Sequence, residues 1–342
     1  MLKLTSLIYS EKYKRHNNAT HPENQDRLNA IINSLKNKGI WNEIDIVSPQ
    51  KATENDLLRV HSREHVEYIK KFCEGGGGYI DYDTYATPES YEIAKLAAGG
   101  AIEAAEIVLN EKTSAYSIAR PPGHHATGTK SMGFCIFNNL AISLEYLRKT
   151  FKIKKFLIFD FDVHFGNGTS EIFYSDPDVL YISIHQNPKT LYPGDGFIEE
   201  IGAGKGEGFN INIPMAPGST TDDYIYILEN ILSPVTSKFN ADFYFLDVGF
   251  DGHVDDPLSN LKLTDDFYEY IINKMGNIAG PMALILEGGY NLNVLSRCNV
   301  KMISGLNNMK EDDYIKEELN VSDECRNILK QIKDVFSSFY EF

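Results

Sequence analysis

Residues 156–164 read Phe-Leu-Ile-Phe-Asp-Phe-Asp-Val-His, an apolar run that ends in three potential metal ligands at alternate positions. Its apolar, β-forming residues predict a strand buried on both faces, as in a parallel sheet. Residues two apart in a strand point to the same side, so Asp160, Asp162 and His164 can converge at one end. Polar residues that only cap the next helix are the alternative, and this segment alone leaves both open.

Seven more short apolar runs recur along the chain, and helical patterns separate most of them. The runs cover residues 4–9, 44–47, 115–119, 179–184, 209–213, 242–248 and 282–287. The clearest helical patterns cover 90–110, 138–149, 222–239 and 265–279. This alternation predicts an α/β fold, a three-layer αβα sandwich around an eight-stranded, mostly parallel sheet. Without a low-complexity linker or an internal repeat, we expect residues 1–342 to form a single domain.

Composition excludes several classes of protein. The 342 residues are 42% hydrophobic and 24% charged, with a formal net charge of -15. Because no basic run could follow a phosphate backbone, we expect no direct binding of nucleic acid. We also expect no membrane association, since no stretch approaches the ~20 apolar residues that span a bilayer and the N-terminus lacks a signal peptide. The acidic charge slightly favours a cationic substrate.

The four cysteines are far apart and form no C-x-x-C pair, which argues against a disulfide framework and against a cysteine metal site. A reducing, cytoplasmic location fits them best. Two glycine-rich stretches are expected to be a surface loop, at 75–78, and a turn, at 202–208. The second lacks the hydroxyl residue and the following helix of a phosphate loop, so nucleotide binding is rejected.

Polar clusters follow several of the predicted strands, where open α/β sheets place their ligand sites. His124 and His125 lie in tandem in a Pro-Pro-Gly turn, which suggests proton transfer or metal ligation. Asp251 offers another carboxylate at a strand end, and Tyr290 follows two glycines on a turn. Together these residues could supply metal ligands, bases and a phenol donor.

The sequence resembles the zinc-dependent histone deacetylase superfamily, which includes acetylpolyamine amidohydrolases. The similarity extends from about Tyr13 to at least Gly305, with the motifs in the order of the family. The matching stretches are Arg-Pro-Pro-Gly-His-His-Ala at 120–126, Gly-Phe-Cys at 133–135, Asp-x-Asp-Val-His at 160–164 with Gly-Asn-Gly-Thr at 166–169, Phe-Asp at 250–251 with Asp-Pro-Leu at 256–258, and Glu-Gly-Gly-Tyr at 287–290.

The resemblance implies an arginase-deacetylase fold and a catalytic zinc site, with one ion per chain. Asp162, His164 and Asp251 would be its ligands, and three protein ligands leave a coordination position open for water and substrate. The identity of the metal in vivo is left open.

The resemblance also implies the catalytic roles. His124 and His125 would face the reacting water, with Asp160 orienting His124 and Asn167 orienting His125. Tyr290 would donate a hydrogen bond to the developing oxyanion.

Further positions follow from the same resemblance. Phe134 and Tyr192, with Gly133 beside them, resemble the walls of a narrow apolar channel. Asp83 resembles a rim aspartate that holds the substrate backbone. Asp160 and Ser183 resemble the side-chain ligands of a buried monovalent cation, usually potassium. Ordinary core packing is the alternative for the two aromatics, and a solvated loop charge is the alternative for Asp83.

Three positions depart from the pattern of the family. Phe165 stands where many relatives have a second histidine, which affects packing beside the metal and fine substrate preference. Asp247 and Gly252 replace commoner residues around the third ligand. The sequence offers no physical account of these two changes.

The expected activity is zinc-dependent hydrolysis of an N-acyl amide on a primary amine, which releases acetate and the free amine. The substrate stays open between acetyl-lysine, an acetylated polyamine and a longer acyl chain, and so does the oligomeric state. A ureohydrolase of the arginase type is one alternative. It needs two manganese ions and a carboxylate where this chain has Gly166. A catalytically silent scaffold module is the other, although no ligand, base or tyrosine is missing.

Overall fold

A parallel β-sheet brings the polar strand ends together. The computed structural model describes residues 5–307 and 318–342. Eight strands form one sheet in the order β2-β1-β5-β10-β9-β6-β7-β8, and every neighbouring pair is parallel. These strands are β1 (Ser6–Ile8), β2 (Asp45–Val47), β5 (Ala115–Ser117), β6 (Phe156–Asp160), β7 (Val179–Gln186), β8 (Asn210–Met215), β9 (Phe243–Val248) and β10 (Ala283–Leu286). The predicted eight-stranded parallel sheet is thus confirmed.

Helices cover both faces of this sheet. They are α1 (Asp26–Asn37), α2 (Glu54–Leu57), α3 (Arg63–Glu74), α4 (Ser90–Glu111), α5 (Asn139–Phe151), α6 (Asn167–Phe173), α7 (Thr221–Phe239), α8 (Asp265–Ala279), α9 (Leu292–Asn307) and α10 (Asp323–Phe336). Apolar residues of α5 and of the C-terminal half of α4 pack with one face of the sheet. Those of α1, α7, α8 and α9 pack with the other, together with Ile93 and Leu96 from the start of α4. The predicted αβα layering is therefore confirmed.

The central strand β6 shows why its sequence is apolar throughout. Phe156 and Ile158 belong to the core beneath α4 and α5, whereas Leu157 and Phe159 belong to the opposite core. All four side chains are fully buried. Burial of such side chains stabilises a fold by about 1.5–3 kcal/mol each. A strand with one solvated face would instead alternate between apolar and polar residues.

Several boundaries differ from the sequence prediction by a few residues. β7 continues to Gln186 and β8 runs to Met215, since their backbone pairing extends past the apolar run. Leu4 of the first predicted strand lies outside the described residues. The expected loop at 75–78 is partly wrong, because Gly78 opens a short strand. That strand, β3 (Gly78–Tyr79), pairs antiparallel with β4 (Tyr85–Ala86).

The strand order explains where the chemistry collects. The carboxyl ends of β5, β10, β9 and β6 are adjacent, so the segments that follow these strands meet at one edge. Because this single sheet takes strands from residue 6 to residue 286, we propose that the chain forms one domain. None of the helices in the described ranges combines the length and apolarity that a membrane crossing requires.

Candidate active site

Two strand ends supply a group of three metal-binding side chains. Asp162 and His164 follow β6, and Asp251 follows β9. One ligand atom from each lies within 4.8 Å of the others. Nδ1 of His164 is 3.2 Å from Oδ1 of Asp162 and 3.1 Å from Oδ2 of Asp251. Both carboxylates are fully buried. Two buried carboxylates and one imidazole are a donor set that suits a divalent cation.

Backbone amides hold these carboxylates in place. Gly288 donates its N–H to Oδ2 of Asp162 at 2.7 Å, and Val163 donates to Oδ1 of Asp251 at 3.0 Å. A Cβ at Gly288 would overlap the carboxylate of Asp251, so this position requires glycine. Such outer contacts fix the orientation of metal ligands.

The electrostatics of this group also favour a cation. Burial lowers the pKa of His164, but hydrogen bonds to Asp162 and Asp251 outweigh burial and raise that pKa to about 10. The site thus strongly attracts positive charge. A metal ion would compete with the imidazole proton for the same nitrogen.

The tandem histidines follow β5 and have different partners. Nδ1 of His124 lies 3.1 Å from Oδ2 of Asp160, and Nδ1 of His125 lies 2.8 Å from Oδ1 of Asn167. An amide oxygen can only accept, so His125 donates from Nδ1 and its Nε2 carries the lone pair. His124 instead faces a carboxylate, which stabilises its protonated form.

These partners separate the pKa values of the two histidines. Burial lowers the pKa of His124, but the charges of Asp162 and Asp160 outweigh burial and hold that pKa well above its usual range. For His125, burial lowers the pKa, and the nearby His124 and His164 lower it further. A cationic and a neutral imidazole side by side, with ring centroids 4.1 Å apart, can act as an acid and a base.

Tyr290 sits on the turn after β10 and is held through its backbone. The N–H groups of Tyr290 and Asn291 donate to Oδ2 of Asp256 at 2.7 and 2.9 Å. The Tyr290 ring packs edge-on against Phe134, with centroids 5.8 Å apart, and the guanidinium of Arg27 lies 5.1 Å from its centroid. The phenol is thus fixed on a turn and faces the same cavity as the histidines.

A cavity of about 190 Å³ connects these groups to the surface. Its lining contains Asp83, Pro122, His124, His125, Gly133, Phe134, His164, Tyr192, Leu258, Gly288 and Tyr290. All four residues that the sequence assigned to substrate binding are in this set. The aromatic walls contact the site directly, since the ring centroids of Tyr192 and His125 are 5.1 Å apart.

The backbone around Gly133 is constrained where it forms part of the wall of the cavity. Gly133 has a φ of +55°, and a Cβ there would collide with the His125 ring. Phe134 follows with a φ of +69°, which is costly for a bulky residue. Its N–H donates to Oγ1 of Thr84 at 3.0 Å. A constrained backbone at a channel wall indicates a functional constraint.

The two residues expected to bind a monovalent cation are neighbours in the sheet. Asp160 of β6 pairs in register with Ser183 of β7, so both side chains point to one face. Oδ2 of Asp160 also accepts from the Tyr181 hydroxyl at 2.8 Å, and Oγ of Ser183 lies 2.8 Å from Nδ1 of His185.

A second group of possible ligands, His253, Asp265 and Cys298, lies elsewhere. Nδ1 of His253 accepts the N–H of Asp255, so Nε2 carries the proton and donates to Asp265. Arg297 donates to Asp265 at 2.8 Å and already supplies a cation. This group therefore does not suit a metal ion.

Sequence reasoning missed several residues that shape the site. Glu287 accepts the N–H groups of Gly123 and His124 at 2.7 and 3.1 Å. Asp256 and Leu258 were noted within motifs without a role, and Tyr181 was not singled out. The available signal was the acidic residue before two glycines for Glu287 and the acidic residue before a proline for Asp256. Tyr181 lies in an apolar strand and left no signal.

Phe165, which departs from the family pattern, packs away from the cavity. Its ring is 3% exposed and lies 5.0 Å from the His185 ring, centroid to centroid. It is not among the residues that line the cavity. Its influence on substrate preference would therefore act through packing.

Comparisons with known proteins agree with this geometry. The histone deacetylase domain profile matches residues 21–306. A probable deacetylase of Methanothermobacter thermautotrophicus is 45% identical over 98% of this chain and 99% of its own length. A histone deacetylase-like amidohydrolase of Pseudomonas aeruginosa is 35% identical over 85% of this chain and 77% of its own. The crystal structure of the HDA15 HD domain superposes with a TM-score of 0.92 at 32% identity and covers 99% of this chain and 96% of that one.

Proposed function

Because this chain belongs to the histone deacetylase family and is a hydrolytic deacetylase, we propose that it uses one zinc ion to hydrolyse an N-acetyl amide on a primary amine. Acetate and the free amine are the products. The observation that carries this proposal is the convergence of three features on one cavity. These are the group of Asp162, His164 and Asp251, the histidine pair, and Tyr290.

Zinc held by Asp162, His164 and Asp251 would polarise the acyl carbonyl and make water more acidic. The second ligand-like group is filled by Arg297, which supports one ion per chain. Asp160 and Ser183 would hold a potassium ion, supported by their register on β6 and β7. We also propose a cytoplasmic location, supported by four cysteines that are all free thiols.

The residues of the chain then move protons in a defined order. Nε2 of His125 accepts a proton from the attacking water, because its Nδ1 is already a donor to Asn167. The water oxygen bonds to the acyl carbon, and the Tyr290 hydroxyl donates to the carbonyl oxygen as it gains charge. The histidine pair returns a proton to the nitrogen as the carbon–nitrogen bond breaks. Asp160 stabilises His124 in its cationic form throughout.

The shape of the cavity supports an extended aliphatic amine as substrate. Phe134 and Tyr192 wall it, and Leu258 adds an apolar contact. Among the described residues, Asp83 contributes a carboxylate to its lining and no lysine or arginine does. This arrangement suits both the side chain of acetyl-lysine in a peptide and an acetylated polyamine. The net charge of -15 favours substrates with further positive charge.

One assay tests the activity and the substrate class together. The kcat/KM of the zinc-loaded protein is measured on an acetylated peptide, acetylspermidine, acetylputrescine and a peptide with a longer acyl chain. We expect acetate release from at least one acetylated amine. Absence of turnover on all of them, by folded protein with full metal content, would overturn the proposal. Turnover of arginine or agmatine with manganese would favour a ureohydrolase.

Metal analysis tests the ion itself. We expect about one tightly bound divalent ion per chain, because the three ligands Asp162, His164 and Asp251 together bind one ion. Asp251→Ala should lose both the ion and turnover. Asp265→Ala, a matched carboxylate in the second group, should keep both. Two ions per chain, with activity lost when one is removed, would contradict the mononuclear site.

A further inference from the structure

Asp247 occupies an unusual environment at the end of β9. It is fully buried, and neither carboxylate oxygen has a hydrogen-bond partner within residues 5–307 and 318–342. Buried polar atoms are almost always paired, because a buried oxygen without a donor loses the hydrogen bonds that water gave it in the unfolded chain. Asp247 is also one of the positions at which the sequence departs from the pattern of the family without a physical account. A buried carboxyl without hydrogen-bond donors indicates that a bound ligand supplies the missing contacts.

Register places Asp247 in a polar layer of the sheet. It pairs with Asp160 of β6 on one side and with Ile285 of β10 on the other. Register partners in a parallel sheet point to the same face. The residue two positions earlier, Phe245, lies in the core beneath α4 and α5, so Asp247 ends that apolar column at the edge of the active site.

Glu287 supplies a second buried carboxyl to this layer. It lies two residues after Ile285, and its N–H continues the sheet by donating to the Val248 carbonyl at 2.8 Å. Oε2 accepts the backbone N–H groups of Gly123 and His124. Oε1 is buried and has no hydrogen-bond partner in the described part of the chain. Three oxygens of two neighbouring carboxyls are therefore left without donors.

The charge around these oxygens is negative. Burial raises the pKa of Asp247 well above its usual range, and the charges of Glu287 and Asp160 raise it further. Burial likewise raises the pKa of Glu287, to about 7. The cationic His124 acts in the opposite direction on both groups. The single positive charge of His124 faces several carboxylates, so the net charge around these oxygens remains negative.

We propose that Asp247 and Glu287 form an internal binding site for a monovalent cation, on the β9 and β10 side of the site and distinct from the pair Asp160 and Ser183. Carboxylate oxygens without donors are ligands that a hard cation prefers. An ion here would also brace Glu287, whose other oxygen holds the backbone of His124. The inference rests on unpaired buried oxygens and does not require the proposed hydrolysis.

Thallium(I), an anomalously scattering substitute for potassium, tests this site directly. Crystals of the zinc-loaded protein are grown without sodium or potassium and soaked in thallium nitrate. We expect an anomalous peak in contact with the carboxylates of Asp247 and Glu287. Its absence at saturating thallium, whatever is found beside Asp160, would overturn the proposal and would leave water as the occupant.

Two variants assign the peak to its ligands. Asp247→Asn keeps the volume of the side chain and removes its charge, so the peak at Asp247 should be lost and any peak at Asp160 and Ser183 kept. Ser183→Ala is the matched control and should leave the peak at Asp247 in place. A peak that persists in Asp247→Asn would contradict the assignment. The wild-type crystal decides the matter alone if a variant does not fold.

Discussion

Tyr290 is the residue whose role can be separated most cleanly from folding and metal binding. Its backbone is anchored by Asp256 and its ring by Phe134, so Tyr290→Phe keeps both contacts and removes only the hydroxyl. We expect kcat to fall by about 10²- to 10³-fold, as for loss of one oxyanion donor. Metal content and the melting temperature should not change. A loss below about threefold, with chemistry rate-limiting, would make Tyr290 a packing residue.

His125 is the residue expected to carry the proton. His125→Ala should reduce kcat/KM by more than ~10²-fold and change the pH–rate profile, because in the part of the chain that the structure describes no other neutral imidazole lines the cavity beside the metal group. Metal content should remain, since His125 is not a ligand. Near-normal kcat/KM in a variant with both His124 and His125 replaced by alanine would refute the assignment.

The metal-binding and catalytic residues could be predicted from the sequence because they lie close together along the chain. Asp162 and His164 lie two apart on one strand end, and the histidines lie in tandem. The supporting contacts were not readable. Glu287 reaches Gly123 across 164 residues, and only the strand order β5-β10 brings them together.

Among the elements, α7 shows how one cap ties two helices together. Thr220 and Asp223 form a capping box at its start, and Asp223 also accepts the N–H of Ser322 just before α10 at 2.7 Å. Thr220→Ala should lower the free energy of unfolding by about 1 kcal/mol, measured by urea titration. Thr220→Ser keeps the hydroxyl and should lose much less. Equal losses in the two variants would show that the methyl group, not the cap, matters.

Element by element, strands were easier to predict than helices. The inner strands of the central sheet are buried on both faces, so their apolar runs stand out, as in β6. Among the helices, α8 was predicted to the residue. The amphipathic α3 and α10 were not among the clearest patterns, because few of their residues are apolar: Val66, Ile69 and Cys73 are buried in α3. The β3–β4 hairpin is too short to leave a pattern.

At the scale of the whole molecule, buried histidines make stability depend on pH. His61 donates from Nδ1 to the Thr127 carbonyl and accepts the N–H of Asn138 at Nε2, each at 3.0 Å. It is therefore held neutral. Burial lowers its pKa to about 3, and the neighbouring His65 contributes to the same direction.

The sign of the pH effect follows from this shift. The unfolded chain takes up the His61 proton below its ordinary pKa of about 6.5, whereas the folded chain does so only near 3. Stability is thus complete above that ordinary pKa and is lost as the pH falls through this window, by up to about 1.4 kcal/mol per pH unit. In urea titrations between about pH 6 and pH 4, His61→Gln should show a shallower dependence on pH than the wild type. An unchanged slope would mean that His61 is charged in the fold.

The place of β10 in the sheet has a consequence for how the chain is made. Among the strands of residues 5–307 and 318–342, β10 is synthesised last, yet it lies between β5 and β9 in the sheet. Until residue 286 emerges, two groups of strands exist without the strand that joins them, and each has an open, apolar edge. Such edges invite pairing with other chains. We therefore expect products truncated before residue 283 to expose the edges of β5 and β9 and to aggregate more readily than the full sequence.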